Sequence, residues 1–214
     1  MTRLLEVRVS AEPDAWRTAG VPLDDDGIGW LGSVLLRVDP TLGPPGLRSW
    51  VLDIDAGTSF TDVDGLPTDA GSGASPSPPT LDSVLGVTGI DHLVVVTPDL
   101  DRTVTAVEGA LRVPLLRIRE GEAGGSPVRQ AFFRLGEVIL EVVSGGPSGS
   151  GRDAARFYGL ALTVNDLDAA ARHLGDRLGD VKPAVQRDRW IATVRREVGL
   201  GTAVALMSPT PERS

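Results

Sequence analysis

His92 and His173 are the two imidazoles among 214 residues, and cysteine is absent. No disulfide, thiolate nucleophile, cysteine zinc site or cysteine-ligated iron–sulfur cluster can form, and one chain cannot supply three histidines to a metal. The chemistry left is that of imidazole, carboxylate and guanidinium. His92 lies in Ile90-Asp91-His92-Leu93-Val94-Val95-Val96-Thr97, where strand alternation puts it on one face with Ile90, Val94 and Val96. Glu141 lies in Val138–Val143 and shares a face with Ile139 and Val143. An unpaired carboxylate on an apolar face is costly, so Glu141 needs a partner, a metal or access to solvent. It reads either as a functional carboxylate in a cleft or as the salt-bridge partner of a strand arginine, Arg134 or Arg129 being nearest. His173, late in a helix beside Arg172, reads as a solvated charge at the helix C-terminus.

Around these residues stand candidates for ligand contact. Gln130, Phe132 and Arg134 share one strand face, and Arg129, Ala131 and Phe133 the other. Either set can line a cup for a polar, partly aromatic ligand, or can instead be aromatic core with solvated arginines. Arg189 and Trp190 fall on the corresponding strand of a second, similar half. Trp16, Trp30 and Trp50 read as packing anchors. The glycine-rich stretches lack phosphate-loop and dinucleotide contexts, no Gly-x-Ser-x-Gly elbow occurs, and Asp24-Asp25-Asp26-Gly27 lacks the ligand spacing of a calcium loop.

Bulk composition narrows the partners. The net charge is −8, and although 20 of the 21 basic residues are arginine, they form no basic stretch. Nucleic acid is not an expected partner, because phosphate neutralisation needs clustered Lys and Arg. No signal-like apolar region opens the sequence, and no apolar run approaches the ~18 residues of a membrane span. The expectation is a cytoplasmic protein with no membrane partner.

The elements that must position these side chains come as repeats. One half opens with the strand Ile90–Thr97, then Asp99-Leu100-Asp101 starting a helix to about Leu111. The other opens with Tyr158–Val164, then Asp166-Leu167-Asp168 and a helix to about Leu174, 67 residues further on. An Asp early in a helix caps free N–H groups and complements the dipole. The halves also close alike, Leu135–Val143 against Leu200–Ser208. With strand candidates Leu115–Arg119, Arg129–Leu135, Ala184–Gln186 and Trp190–Arg196 between, each half reads β-α-β-β-β. The sequence predicts an α+β fold of tandem βαβββ modules over 87–145 and 152–209, together a unit at 87–209. A Gly/Ser/Pro-rich linker at 69–86 and a weaker one at 144–151 divide the chain. Residues 1–68 form an N-terminal α/β segment. Its strand Leu5–Ser10, helix Glu12–Ala19, closing strand Trp30–Val38 and further strand Ser49–Ile54 suggest a degenerate third module.

Two tandem βαβββ modules, the first opening Gly89-Ile90-Asp91-His92 and closing Leu135-Gly136-Glu137-Val138-Ile139-Leu140-Glu141, resemble the vicinal oxygen chelate superfamily. This is the glyoxalase, bleomycin-resistance and extradiol dioxygenase group, and the chain looks like its uncharacterised glyoxalase-like branch. The resemblance implies a cupped mixed sheet and a divalent metal (Mn, Ni, Fe or Zn) held by the first and last strands of each module. His92 and Glu141 occupy the two positions of module one and are the catalytic and metal candidates. They read as a hydrogen-bonded pair, half a metal site or an acid/base couple. Gly159 and Leu206 fall at the module-two positions and cannot ligate, so the family site is incomplete. The function expected is binding of a small organic molecule in the cup, as in antibiotic-sequestering relatives. The alternative is a metal-dependent lyase or dioxygenase completed by a ligand from another segment or chain. Substrate contacts are expected from Gln130, Phe132, Arg134, Arg189 and Trp190. The N-terminal segment would then cover a sheet or help two chains pair as a homodimer.

Overall fold

The computed structural model describes residues 2–54, 60–71, 83–123, 125–145 and 153–210. The two aspartates singled out by the repeat cap the two longer helices. Asp99 accepts from the Arg102 N–H at the start of α2 (Leu100–Leu111), and Asp166 from the Ala169 N–H at the start of α3 (Leu167–Leu174). Leu100, Thr103, Val104, Val107 and Leu111 of α2, and Leu167, Ala170 and Leu174 of α3, are buried at helical spacing. Each helix therefore lays an apolar stripe on the sheet that its flanking strands build.

That sheet has eight strands. Module one contributes β7 (Val87–Thr97), β8 (Arg117–Ala123), β9 (Ser126–Leu135) and β10 (Val138–Ser144). Module two contributes β11 (Arg156–Val164), β12 (Lys182–Pro183), β13 (Trp190–Thr193) and β14 (Ala203–Met207). The order is β12-β13-β14-β11-β7-β10-β9-β8. Each module pairs its first strand in parallel with its last, and the two first strands, β7 and β11, pair antiparallel at the centre. These are tandem βαβββ modules in a cupped mixed sheet. Strand bounds shift from expectation, β8 starting at Arg117 and running to Ala123 and β13 ending at Thr193. One strand moves outright: β12 is Lys182–Pro183, paired with Ile191 and Trp190, and Ala184–Gln186 lies outside it.

The N-terminal part repeats this plan. Its sheet is ordered β2-β3-β1-β4-β6-β5, from β1 (Leu4–Ser10), β2 (Ile28–Leu31), β3 (Val34–Val38), β4 (Gly46–Asp53), β5 (Asp62–Val63) and β6 (Leu66–Gly71). After β1 comes the short helix α1 (Pro13–Thr18), and Leu23 bridges antiparallel to Gly29 before β2 begins. β1 is parallel to β3, β4 is parallel to β6, and β1 meets β4 antiparallel. Among the described residues no helix lies between β4 and β5. β6 runs on through Asp69, Ala70 and Gly71, the first residues of the expected linker; residues 72–82 and 146–152 lie outside the described residues.

The correspondence extends to irregularities. In the central pair β7·β11, Asp91 is an extra residue between Ile90↔Leu162 and His92↔Ala161, and Tyr158 is an extra residue in β11. In β1·β4, Leu5 is the extra residue between Leu4↔Leu52 and Glu6↔Val51, and Arg48 is the extra residue in β4. The bulges fall at matching places, so Glu6 occupies the position of His92, and by the β1·β3 register Arg37 occupies that of Glu141.

Buried side chains of both sheets and all three helices join one apolar cluster. Trp50 on β4 meets Phe157 on β11 edge to face, with ring centroids 5.2 Å apart, and the Trp16 indole N–H donates to the Leu200 carbonyl. Trp30 is only half-buried. The sheets thus share a core through one face each and keep the other face outward. Among the described residues, no helix is long and apolar enough to cross a membrane.

Candidate functional site

The outward face of the eight-stranded sheet is floored by Val94 and Val96 of β7, Ile139 and Val143 of β10, and Phe132 of β9, all half-buried. The opposite side chains on the same strands, Leu93, Val95, Leu140, Val142 and Phe133, are fully buried. His92 and Glu141 rise from this apolar floor, their side chains 14% and 15% exposed. Parallel pairing sets His92 beside Ile139 and Val94 beside Glu141, bringing the two groups to adjacent strands one step apart.

The bulge at Asp91 decides the local chemistry. Regular alternation would aim Asp91 into the core; the extra residue turns it onto the side of His92. Asp91 Oδ2 lies 2.8 Å from His92 Nδ1, and Asp91 Oδ1 accepts from Arg189. Burial alone would raise the Asp91 pKa, but the hydrogen bonds from His92 and Arg189, and their charge, together hold it below the usual carboxylate value. An ionised carboxylate only accepts, so His92 Nδ1 carries the proton, and in the neutral ring Nε2 keeps its lone pair. Ile90, expected on the His92 face, is buried on the other side of the bulge.

His92 Nε2 stands 3.7 Å from Glu141 Oε2, beyond hydrogen-bond distance. Glu141 Oε1 accepts from the Gln130 amide. The carboxylate therefore has Gln130 and His92 as neighbours, and neither Arg134 nor Arg129, which pairs with Asp101 on the far face. Arg189, 6% exposed, spends its guanidinium on Asp91, on the Ser208 carbonyl at 2.8 and 2.9 Å, and on Thr163. It is a brace for Asp91. Trp190 points away from it by alternation, is 49% exposed, and belongs to the other face. Gln130, Phe132 and Arg134 do share the Glu141 face, opposite Val143, Glu141 and Ile139 respectively. Sequence reasoning missed Asp91 as a working residue; its one signal was a second polar residue beside His92 in an otherwise apolar strand.

The module-two positions supply no donor. In register with His92↔Ile139, β11 and β14 set Gly159 opposite Ala203, so Glu141 corresponds to Ala205, and Leu206 is a core residue. A Cβ at Gly159 would lie 2.2 Å from the Ala203 carbonyl oxygen, so no side chain fits there. Among the described residues no group of three His, Asp or Glu side chains is placed so that it could hold a metal ion. Two ligands without a third do not fit a resident catalytic metal.

Paired βαβββ modules cupped around a central strand pair, with polar groups rising from an apolar floor, define a cupped sheet of the glyoxalase type of fold. A family model described as the Glyoxalase/Bleomycin resistance protein/Dioxygenase superfamily matches residues 89–195. The chain belongs to this superfamily. Among solved structures, a mutant of 4-hydroxymandelate synthase from Streptomyces coelicolor is similar over 99% of this chain and 94% of that one, with 14% identity and a TM-score of 0.69. Methylmalonyl-CoA epimerase from Mycobacterium tuberculosis is similar over 62% of this chain and 95% of that one, with 21% identity and a TM-score of 0.49. No curated protein matches the sequence.

Proposed function

We propose that the outward cup of the eight-stranded sheet binds a small polar organic molecule, with His92 Nε2 and Glu141 Oε2 as its proton-handling centre and no resident metal. The observation that carries this reading is the chain Arg189–Asp91–His92 facing Glu141–Gln130. Every group in it is held by a neighbour except on the side where Nε2 and Oε2 face one another 3.7 Å apart. A single ligand atom ~2.8 Å from each can sit between them. With Nδ1 fixed by Asp91, the Nε2 lone pair takes a proton from a ligand hydroxyl or acidic C–H and can return that proton to the ligand, while Glu141 accepts a hydrogen bond from the ligand. A ligand body lying on the apolar floor would displace water from it and strengthen these contacts.

The same brace on an imidazole is how metal-ligating histidines are oriented, so metal is one arm of the test. Ligand-detected NMR with a set of small hydroxy and oxo acids is run on wild type and His92→Ala. Thermal melts with Mn²⁺, Ni²⁺, Zn²⁺ and Fe²⁺ run alongside. The expected result is binding lost in His92→Ala and no metal-linked rise in Tm. A saturable metal stabilisation that disappears in His92→Ala would establish the metal-dependent reading instead. Binding indifferent to His92→Ala would remove His92 from the site.

A further inference from the structure

The cup has a second chemical feature besides its proton-handling centre. Strand pairing puts Arg117 of β8 in the row Arg117–Phe132–Glu141–Val94, and Arg119 in the row Arg119–Gln130–Val143–Val96–Arg156. Arg134 begins the row Arg134–Ile139–His92–Ala161. Four arginines therefore stand on the cup face: Arg117, Arg119 and Arg156 along the flank running from β8 to the start of β11, and Arg134 near the end of β9 in the row of His92. None has a carboxylate partner among the described residues; Arg117 lies with its guanidinium carbon 4.6 Å above the Phe132 ring centroid. The carboxylates on this face, Asp91 and Glu141, are already engaged with Arg189, His92 and Gln130. On the reverse of the same strands, Arg129 has found Asp101.

A protein of net charge −8 thus presents an excess of fixed positive charge on one concave face. Such a face attracts anions from a distance, and a guanidinium beside an apolar, aromatic floor recognises carboxylate or phosphate oxygens with two parallel N–H donors. We propose that the ligand of the cup is an organic anion: an apolar or aromatic body lying over Val94, Ile139, Val143 and Phe132, with its carboxylate or phosphate held by Arg119, Arg134 and Arg117. Its polar reacting atom reaches His92 and Glu141 at the other end. β8 and β7 are three strand spacings apart, about 14 Å, which long arginine side chains shorten to the reach of a compact acid. This inference rests on the cup being the binding site and deepens it by naming the ligand's charge.

The test uses phenylacetate and phenyl phosphate as probes, with phenylacetamide as the neutral counterpart, titrated by NMR against wild type, Arg119→Gln/Arg134→Gln and His92→Ala. Both anions are expected to bind with Kd of millimolar order or tighter and to weaken as salt rises, while the amide does not bind. The double arginine variant is expected to lose about tenfold or more in affinity with an unchanged Tm. Equal binding of the amide, full affinity in the double variant, or no anion binding up to ~10 mM overturns the proposal. Affinity lost in the arginine variant and kept in His92→Ala would uphold the anion site, since neither probe carries a second polar atom for His92. The reverse pattern would sink the anion site alone.

Discussion

Asp91→Ala strikes the one residue that braces both His92 and Arg189. The Arg189 guanidinium is 6% exposed and would keep its bonds to the Ser208 carbonyl and Thr163 while losing its carboxylate. Removing one partner of a buried ion pair costs about 3–5 kcal/mol. The retained Ser208 bonds place this case near the lower end, at about 3 kcal/mol. For a chain of this length each kcal/mol moves Tm by about 2–4 °C, so a drop of about 6–12 °C is expected. Asp91→Asn keeps the shape and should cost about half as much. The folded-state pKa of Asp91 is depressed, so its contribution is fully present above the unfolded carboxylate value of ~3.9 and is lost as pH falls through the lower folded value. The stability gap between wild type and Asp91→Asn should therefore be flat from neutral pH to about pH 4 and narrow below it. Urea unfolding of both proteins over that range measures it, and ¹⁵N shifts report the His92 tautomer, uniform with Nδ1–H in wild type and mixed in Asp91→Ala. A gap under about 1 kcal/mol, or one unchanged at the lowest pH, would refute the brace. So would a tautomer indifferent to the substitution.

Two further outcomes concern the frame. Trp50→Ala removes a fully buried indole that packs on Phe157 and donates to Thr68 Oγ1, and should cost about 3–5 kcal/mol in urea unfolding; a loss below 1 kcal/mol would mean the two sheets do not share a core there. Gly32 turns between β2 and β3 at φ +65°, and a Cβ there would lie 2.4 Å from the Thr88 carbonyl oxygen. Gly32→Ala should cost at least about 1–2 kcal/mol, and a neutral result by thermal melting would count against that close approach.

Much of this fold was legible because its signals are local. Asp99 and Asp166 announce helices by capping chemistry, and alternation in Ile139, Glu141 and Val143 gives the face of β10 without any tertiary knowledge. The βαβββ plan and the superfamily resemblance rest on such patterns, whereas the partner of Glu141 is Gln130 rather than the expected Arg134 or Arg129. What escaped depends on a residue more or less. A bulge leaves no mark on a hydrophobic pattern, so Asp91 looked core-facing and Ile90 looked cup-facing when the reverse holds. The same one-residue sensitivity moved the module-two counterpart of Glu141 from Leu206 to Ala205. The face of Trp190 depended on where β13 begins, and Arg189, expected as a ligand contact, falls just before that strand and is spent on Asp91 and the Ser208 carbonyl. Arg117 and Arg119 went unnoticed because an arginine on a strand reads as solvated until the register shows what stands beside it.

The matching bulges of the two sheets have a consequence for counting. At the position of His92 the N-terminal sheet carries Glu6, and at that of Glu141 it carries Arg37, whose Nε donates to Glu6 Oε1 at 2.9 Å. Arg8 joins from the next position on β1, reaching Glu6 and Asp69. There the opposed groups already satisfy one another, and a guanidinium stays charged at any pH a cell meets. The chain thus carries two castings of one mould, one left open and one filled with its own side chains. In a titration the filled one serves as a built-in blank: a ligand that saturates at one equivalent per chain reports the open cup, and a second equivalent would point elsewhere.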